Sequence, residues 1–123
     1  GVAVNIGNPH IVFFGKDIDN INLHEIGPEI ENHKFFPKKI NVELIEILNN
    51  NKIKMRVWER GVGITLACGS GACASVYAGY IKKFLNNDVE VLLNRGSLFV
   101  KIENESAIMT GPAEISYAGY INI

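Results

Sequence analysis

The segment that most restricts this chain is residues 61–85, GVGITLACGSGACASVYAGYIKKFL, where a cysteine, a glycine-rich turn and one long apolar helix follow directly on one another. From about residue 72 to residue 85 nearly every side chain is small or apolar (Ala72, Cys73, Ala74, Val76, Ala78, Tyr80, Ile81, Phe84, Leu85), and no polar face appears before Lys82 and Lys83. A helix that is apolar on all sides has to be enclosed. Lys82 and Lys83 are expected in its last turn, where cations complement the carbonyl end of the helix dipole, with Asn86-Asn87 as its stop. Cys68-Gly69-Ser70-Gly71 is expected just before it, so backbone N–H groups should gather beside a thiol and form an anion site with a base next to it.

Such a rod needs a wrapper, and the rest of the chain reads as strands. Residues 2–6 and 10–14 are strand-like runs separated by Gly7-Asn8-Pro9, which places Asn8 and His10 at strand ends. Residues 41–48 (NVELIEIL) and 52–59 (KIKMRVWE) alternate on either side of Asn49-Asn50-Asn51, a hairpin pattern. Residues 89–93, 98–102, 107–110 and 114–123 complete the set, with turn signals between them. Residues 16–22 read as a polar loop and 23–33 as a helix by the spacing of Leu23, Ile26 and Ile30, Gly27-Pro28 marking a break or a fresh start. About seven or eight short strands and one apolar helix predict an α+β fold: a mixed, mostly antiparallel, barrel-like sheet wrapped around a central hydrophobic helix.

At 123 residues, 47% hydrophobic and 20% charged, the chain fits one domain with a real core. A net charge of −1 and a pI near 6.3 provide no basic patch, which argues against a nucleic-acid partner. The two cysteines, Cys68 and Cys73, would point about 140° apart on a helix. Their spacing is neither a redox pair nor a metal set, so both are expected as reduced thiols in a cytoplasmic protein. No signal peptide or lipidation motif is evident, and the apolar helix is too short and too rich in Gly, Ala and Ser to suggest a membrane span. The sequence opens at Gly1 inside an apolar segment, as expected of a domain cut from a longer polypeptide.

Cys68 is the first candidate for chemistry. A thiol ordinarily ionises near about 8.5, and the start of a helix favours its anion by about 0.3–2 kcal/mol, which makes the thiolate fraction useful at neutral pH. Cys73, inside the helix, reads as a small buried hydrophobe. The turn lacks Gly-Lys-Ser/Thr, so a small carboxylate bound by Gly69, Ser70 and Gly71 fits better than a nucleotide phosphate. Trp58-Glu59-Arg60-Gly61 closes a strand just before it. Arg60 suits a bidentate grip on a carboxylate, although Glu59 and Arg60 also read as ordinary surface residues at a strand end. His10 is a candidate acid or base; His24 and His33, with Glu25, Glu29 and Glu31, read as a solvated helix face. No Cys/His cluster supports a metal.

Four blocks in order, GNPH at residues 7–10, FFPKKINVE at 35–43, WERGVGITLACGSGACA at 58–74 and TGPAE at 110–114, resemble diaminopimelate epimerase, specifically its C-terminal half. Proline racemases share a related Cys-Gly turn, but the GNPH and WERG blocks are similar to the diaminopimelate enzyme. The resemblance implies a cofactor-independent, two-base epimerisation of LL- and meso-diaminopimelate on the lysine and peptidoglycan route. One cysteine from each of two domains would face the α-carbon. On this match Cys68 is the C-terminal cysteine, and His10 and Glu59 assist the two thiols. Asn8, Asn41 and Arg60 hold the distal part of the substrate, and Gly69 and Ser70 belong to the turn that binds the α-carboxylate. Ser70 stands where the family commonly has Thr, which keeps the hydroxyl.

The implied partners are diaminopimelate and the N-terminal domain of the same enzyme, with a homodimer as an expectation for the intact protein. Residues 1–123 alone are expected to be inactive, because the second cysteine is not among them. A variant of this reading has two copies pairing face to face, each offering Cys68 to mimic the missing half. The alternatives from other classes are a binding module that keeps the fold without catalysis, and a thiol hydrolase built on Cys68 and His10 that would accumulate an acyl intermediate.

Overall fold

The computed structural model describes residues 1–65, 69–94, 96–111 and 118–122, the last five as backbone. The sheet has nine described strands: β1 (Val2–Asn5), β2 (Pro9–Phe14), β3 (Asn41–Asn49), β4 (Lys52–Glu59), β5 (Gly63–Thr65), β6 (Asp88–Leu93), β7 (Gly96–Glu103), β8 (Ser106–Thr110) and β9 (Ala118–Asn122). Two helices accompany it, α1 (Leu23–Glu31) and α2 (Gly69–Ile81). The strand order is β1-β2-β3-β4-β6-β7-β8-β9, with β5 pairing β4. Only β2 with β3 and β4 with β6 are parallel; the other described pairs are antiparallel.

The sheet curls because α2 has no polar side to leave outside. Residues 71–76, Ala78 and Gly79 of the helix are buried. Their small side chains let strands approach closely from both ends of the sheet, and α2 touches β1, β2, β3, β7 and β8. The resulting core runs from Val4 and Val12 through Ile45, Ile53 and Met55 to Val91, Val100 and Met109. Each such side chain contributes about 1.5–3 kcal/mol of burial. The curled, mostly antiparallel sheet around an apolar helix is the fold expected from the sequence.

Strand alternation decides what faces the helix. On β2, Val12 and Phe14 pack into the α2 core, while Ile11 and Phe13 turn to the opposite face. On β3, Ile45 joins the α2 core while Val42 and Leu44 belong to clusters on the other side, among Trp58, Ile26 and Ile30. Counting in twos back from Ile45 puts Glu43 and Asn41 on the α2 side; on β2, counting back from Val12 puts His10 there too. The apolar lining thus becomes polar toward the end of the sheet where α2 begins.

Several boundaries differ from the sequence reading. The described helix α2 includes Gly69, Ser70 and Gly71, three residues earlier than expected, so the glycine-rich segment forms its first turn. It also stops at Ile81, with no basic residue in the last turn. Lys83 adopts a left-handed conformation (φ 64°), its N–H bonding Tyr80 O at 3.0 Å and that of Phe84 bonding Gly79 O at 2.9 Å. This is a Schellman ending, which reverses the chain before Asn86 and folds Leu85 back over Gly79. Helix α1 runs unbroken through Gly27-Pro28. Strand β5 was not anticipated, and the loop at 16–22 contains a 3-10 turn, Ile18–Asn20, whose Ile18 is buried. Of the last expected strand, residues 114–117 and 123 lie outside the described residues. No helix among the described residues is long and apolar enough to cross a membrane.

Candidate active site

The polar end of the α2 face gathers several of the residues singled out above. His10, second residue of β2, is fully buried and its Nδ1 lies 2.8 Å from Oε1 of the equally buried Glu43 on β3. The parallel register, Val12 opposite Glu43 and His10 opposite Asn41, brings the two side chains together. The other ring nitrogen, Nε2, lies 3.1 Å from Asn8 Oδ1. Asn8 Nδ2 in turn donates to Ser70 Oγ at 3.4 Å. A line of polar contacts therefore leads from inside the sheet to the first turn of α2, where Gly69 and Ser70 are both half-buried.

Glu43 is the buried carboxyl group of this line. Burial pushes its carboxyl above the ordinary glutamate value, the bond to His10 pulls the other way, and the nearby Glu59 carboxylate pushes it up again. Its Oε2 has no hydrogen-bond partner among the described residues. Glu59, at the end of β4 and half-buried, is thus within electrostatic reach of the His10–Glu43 pair. The structure brings His10, Asn8, Ser70, Asn41 and Glu59 to one end of the core. Cys68, the residue on which the sequence reading turned, lies outside the described residues.

Asn41 has a bracing job that its sequence context did not reveal. Its Nδ2 donates to Pro9 O at 3.0 Å and its Oδ1 accepts the Arg60 N–H at 2.7 Å. It thereby ties the Gly7–Pro9 turn to the end of β4. Arg60 is exposed, its Nη1 3.4 Å from Lys38 O. It borders a hollow of about 500 Å³ that Gly7, Pro9, Phe36, Lys38 and Lys39 also line. A larger hollow of about 570 Å³ between Phe13, Ile30, Phe35 and Phe36 touches none of these polar residues.

Glu31 corrects the reading of α1 as a solvated acidic face. It is buried, and its carboxylate accepts Trp58 Nε1–H at 2.9 Å and Gly61 N–H at 2.8 Å. These bonds hold its carboxyl below the ordinary value, Trp58 most of all, against the opposing effect of burial. Glu31 therefore clamps both ends of Trp58-Glu59-Arg60-Gly61 and fixes where Glu59 and Arg60 emerge. Glu25, Glu29, His24 and His33 are exposed, as expected. Sequence reasoning missed Glu31 and Glu43. For Glu43 a signal existed: a carboxylate in mid-strand, between apolar neighbours, on the side shared with Ile45.

A curled mixed sheet enclosing a helix is an architecture found elsewhere. A Bacillus anthracis phenazine biosynthesis protein of the PhzF family superposes with a TM-score of 0.59 at 20% identity, covering 85% of this chain and 34% of that one, a likeness of fold alone. The sequence is more specific: the family model for diaminopimelate epimerase matches residues 2–116, and the chain belongs to that family. Curated relatives named diaminopimelate epimerase include those of Carboxydothermus hydrogenoformans, 54% identical over 95% of this chain, and Halothermothrix orenii, 50% identical over 98%. The Pelagibacter ubique relative is 47% identical over 91%. The chain spans between 41% and 43% of the length of these three relatives.

Proposed function

We propose that this chain supplies one half, the C-terminal half, of a cofactor-independent epimerase that interconverts LL- and meso-diaminopimelate in the cytoplasm. The observation that carries this reading is the polar line Glu43–His10–Asn8–Ser70, which ends in the first turn of α2, one residue beyond Gly69 and two beyond Cys68. The positive end of the α2 dipole favours an anion there. Removing the α-proton of an amino acid leaves an electron pair that spreads onto its carboxylate. A carboxylate bound at the helix start is therefore stabilised more in the transition state than in the ground state.

In one direction of the reaction the Cys68 thiolate takes the α-proton, breaking the Cα–H bond and becoming a thiol. A second thiol, from the N-terminal domain of the same enzyme, donates its proton to the opposite face and is left as thiolate. The reverse direction exchanges the roles. In this reading His10 and Glu59, which lie at the polar end of the core, set the protonation of the two thiols. The distal carboxylate and amine of the substrate fit the side of the site bounded by Asn8, Asn41 and Arg60. The three cations lining the neighbouring hollow, Lys38, Lys39 and Arg60, favour an anionic end there.

The test is α-proton exchange of diaminopimelate in heavy water, followed by NMR. The full-length polypeptide containing this chain is expected to exchange the α-proton and interconvert the isomers. Residues 1–123 alone are expected to do neither, lacking the opposed thiol. Full-rate exchange by residues 1–123 alone would refute the two-half mechanism.

A further inference from the structure

We propose that Glu43 is the positioning residue for His10: it and the imidazole hold two protons between them, one shared between Oε1 and Nδ1 and one on Nε2 aimed at Asn8. The argument is a count of donors and acceptors. Asn8 is oriented with its amide nitrogen toward Ser70 Oγ and its Oδ1 toward His10 Nε2, at 3.1 Å. A carbonyl oxygen has no proton to give, so Nε2 carries one. The contact at the other ring nitrogen, 2.8 Å to Glu43 Oε1, needs a second proton, because a bare nitrogen and a carboxylate repel.

The surroundings make Glu43 the residue that decides this. His10 and Glu43 are both fully buried, which shields the contact between them from water. Oε2 has no partner among the described residues, which leaves the bond to His10 as the one described hydrogen bond that places the carboxyl group. Among the described residues Glu59 also reaches Glu43, and its negative charge favours the protonated form of the Glu43 carboxyl. A carboxylate that orients an imidazole from behind fixes which nitrogen faces the site; replacing such a group behind metal-ligating histidines costs about 10–100-fold, and a loss of that order is expected here. His10 is thereby set to present a donor, not a lone pair, toward Asn8 and the start of α2.

The kinetic arm of the test rests on the proposed epimerase activity; the spectroscopic arm does not. In the full-length polypeptide labelled with ¹⁵N-histidine, the His10 signals, assigned by their loss in His10→Gln, are expected to show a protonated Nε2 and a second, slowly exchanging proton at Nδ1. His24 and His33 are exposed and their ring protons exchange quickly, so the buried His10 stands apart. In Glu43→Gln, which keeps the shape but removes the carboxylate, the Nδ1 signal should change and kcat fall about 10–100-fold with KM within about twofold. An unprotonated Nε2 in the unmodified protein overturns the proposal even if Glu43→Gln does not fold. So does a Glu43→Gln enzyme with kcat within about twofold of the original. An unmodified enzyme inactive on diaminopimelate would instead overturn the proposed reaction, and the His10 spectrum would then decide the role of Glu43 by itself.

Discussion

At the scale of single residues, buried carboxylates organise this molecule. Glu31 satisfies Trp58 Nε1–H and Gly61 N–H together, so Glu31→Ala strands two donors and should cost about 1–3 kcal/mol. The bond to Trp58 provides the optical handle: indole fluorescence should shift as the ring loses its partner. The same bonds create a pH dependence whose sign follows from the direction of the shift. In the folded chain the Glu31 carboxyl lies below the ordinary glutamate value of 4.5, so the unfolded chain binds more protons between the two values. Its contribution is complete above that value and is lost as pH falls below it toward the folded one. Denaturant midpoints measured from about pH 6 down to about pH 3 should therefore drop more steeply for the unmodified chain than for Glu31→Gln. Parallel curves would show that the clamp contributes nothing in this window.

At the scale of elements, contacts that periodicity does not encode set helix ends and close approaches. Lys83 sits in left-handed backbone at the end of α2, a conformation that costs a residue with a Cβ about 1–2 kcal/mol. After the extra chain entropy glycine loses on folding, Lys83→Gly should stabilise by about 0.5–1 kcal/mol, read as a raised urea midpoint. Gly27 is constrained differently: a Cβ there would lie 2.4 Å from the Trp58 ring. Gly27→Ala should lose more from this overlap than it gains in helix propensity, a net cost of about 1–2 kcal/mol accompanied by loss of the near-UV signal of Trp58.

These contacts explain how much could be read from the chain. The strands that alternate over five or more residues were legible, because one face of each has to enter the core. Strand β5 was not, since Gly63, Ile64 and Thr65 are too few to carry a period and owe their form to pairing with the end of β4. The end of α2 was misplaced because Phe84 and Leu85 prolong the apolar run, although the chain has already reversed at Lys83. The candidate residues His10, Asn8 and Ser70 were nameable from their motifs. Glu43 carried only the signal of a carboxylate among apolar neighbours; its partner was not legible, because the parallel pairing with β2 joins residues 33 positions apart.

At the scale of the whole molecule, one sheet does two jobs. Most of its inner surface encloses α2 in hydrocarbon, and one end of that surface exchanges valine and isoleucine for His10, Asn41 and Glu43 where the helix begins. A rigid apolar core thus holds a polar site at its rim, and the proposed reaction would have a thiol, a carboxylate anchor and a second catalytic half meet there. The deciding measurement is epimerisation of diaminopimelate in both directions by the full-length polypeptide carrying Cys68→Ala. On the proposed mechanism each direction uses both thiols, so both rates should fall by about 10²–10⁴-fold while the fold, read from circular dichroism, is unchanged. Rates within about tenfold of the unmodified enzyme in either direction would contradict the assignment of Cys68 and of the polar rim beside it.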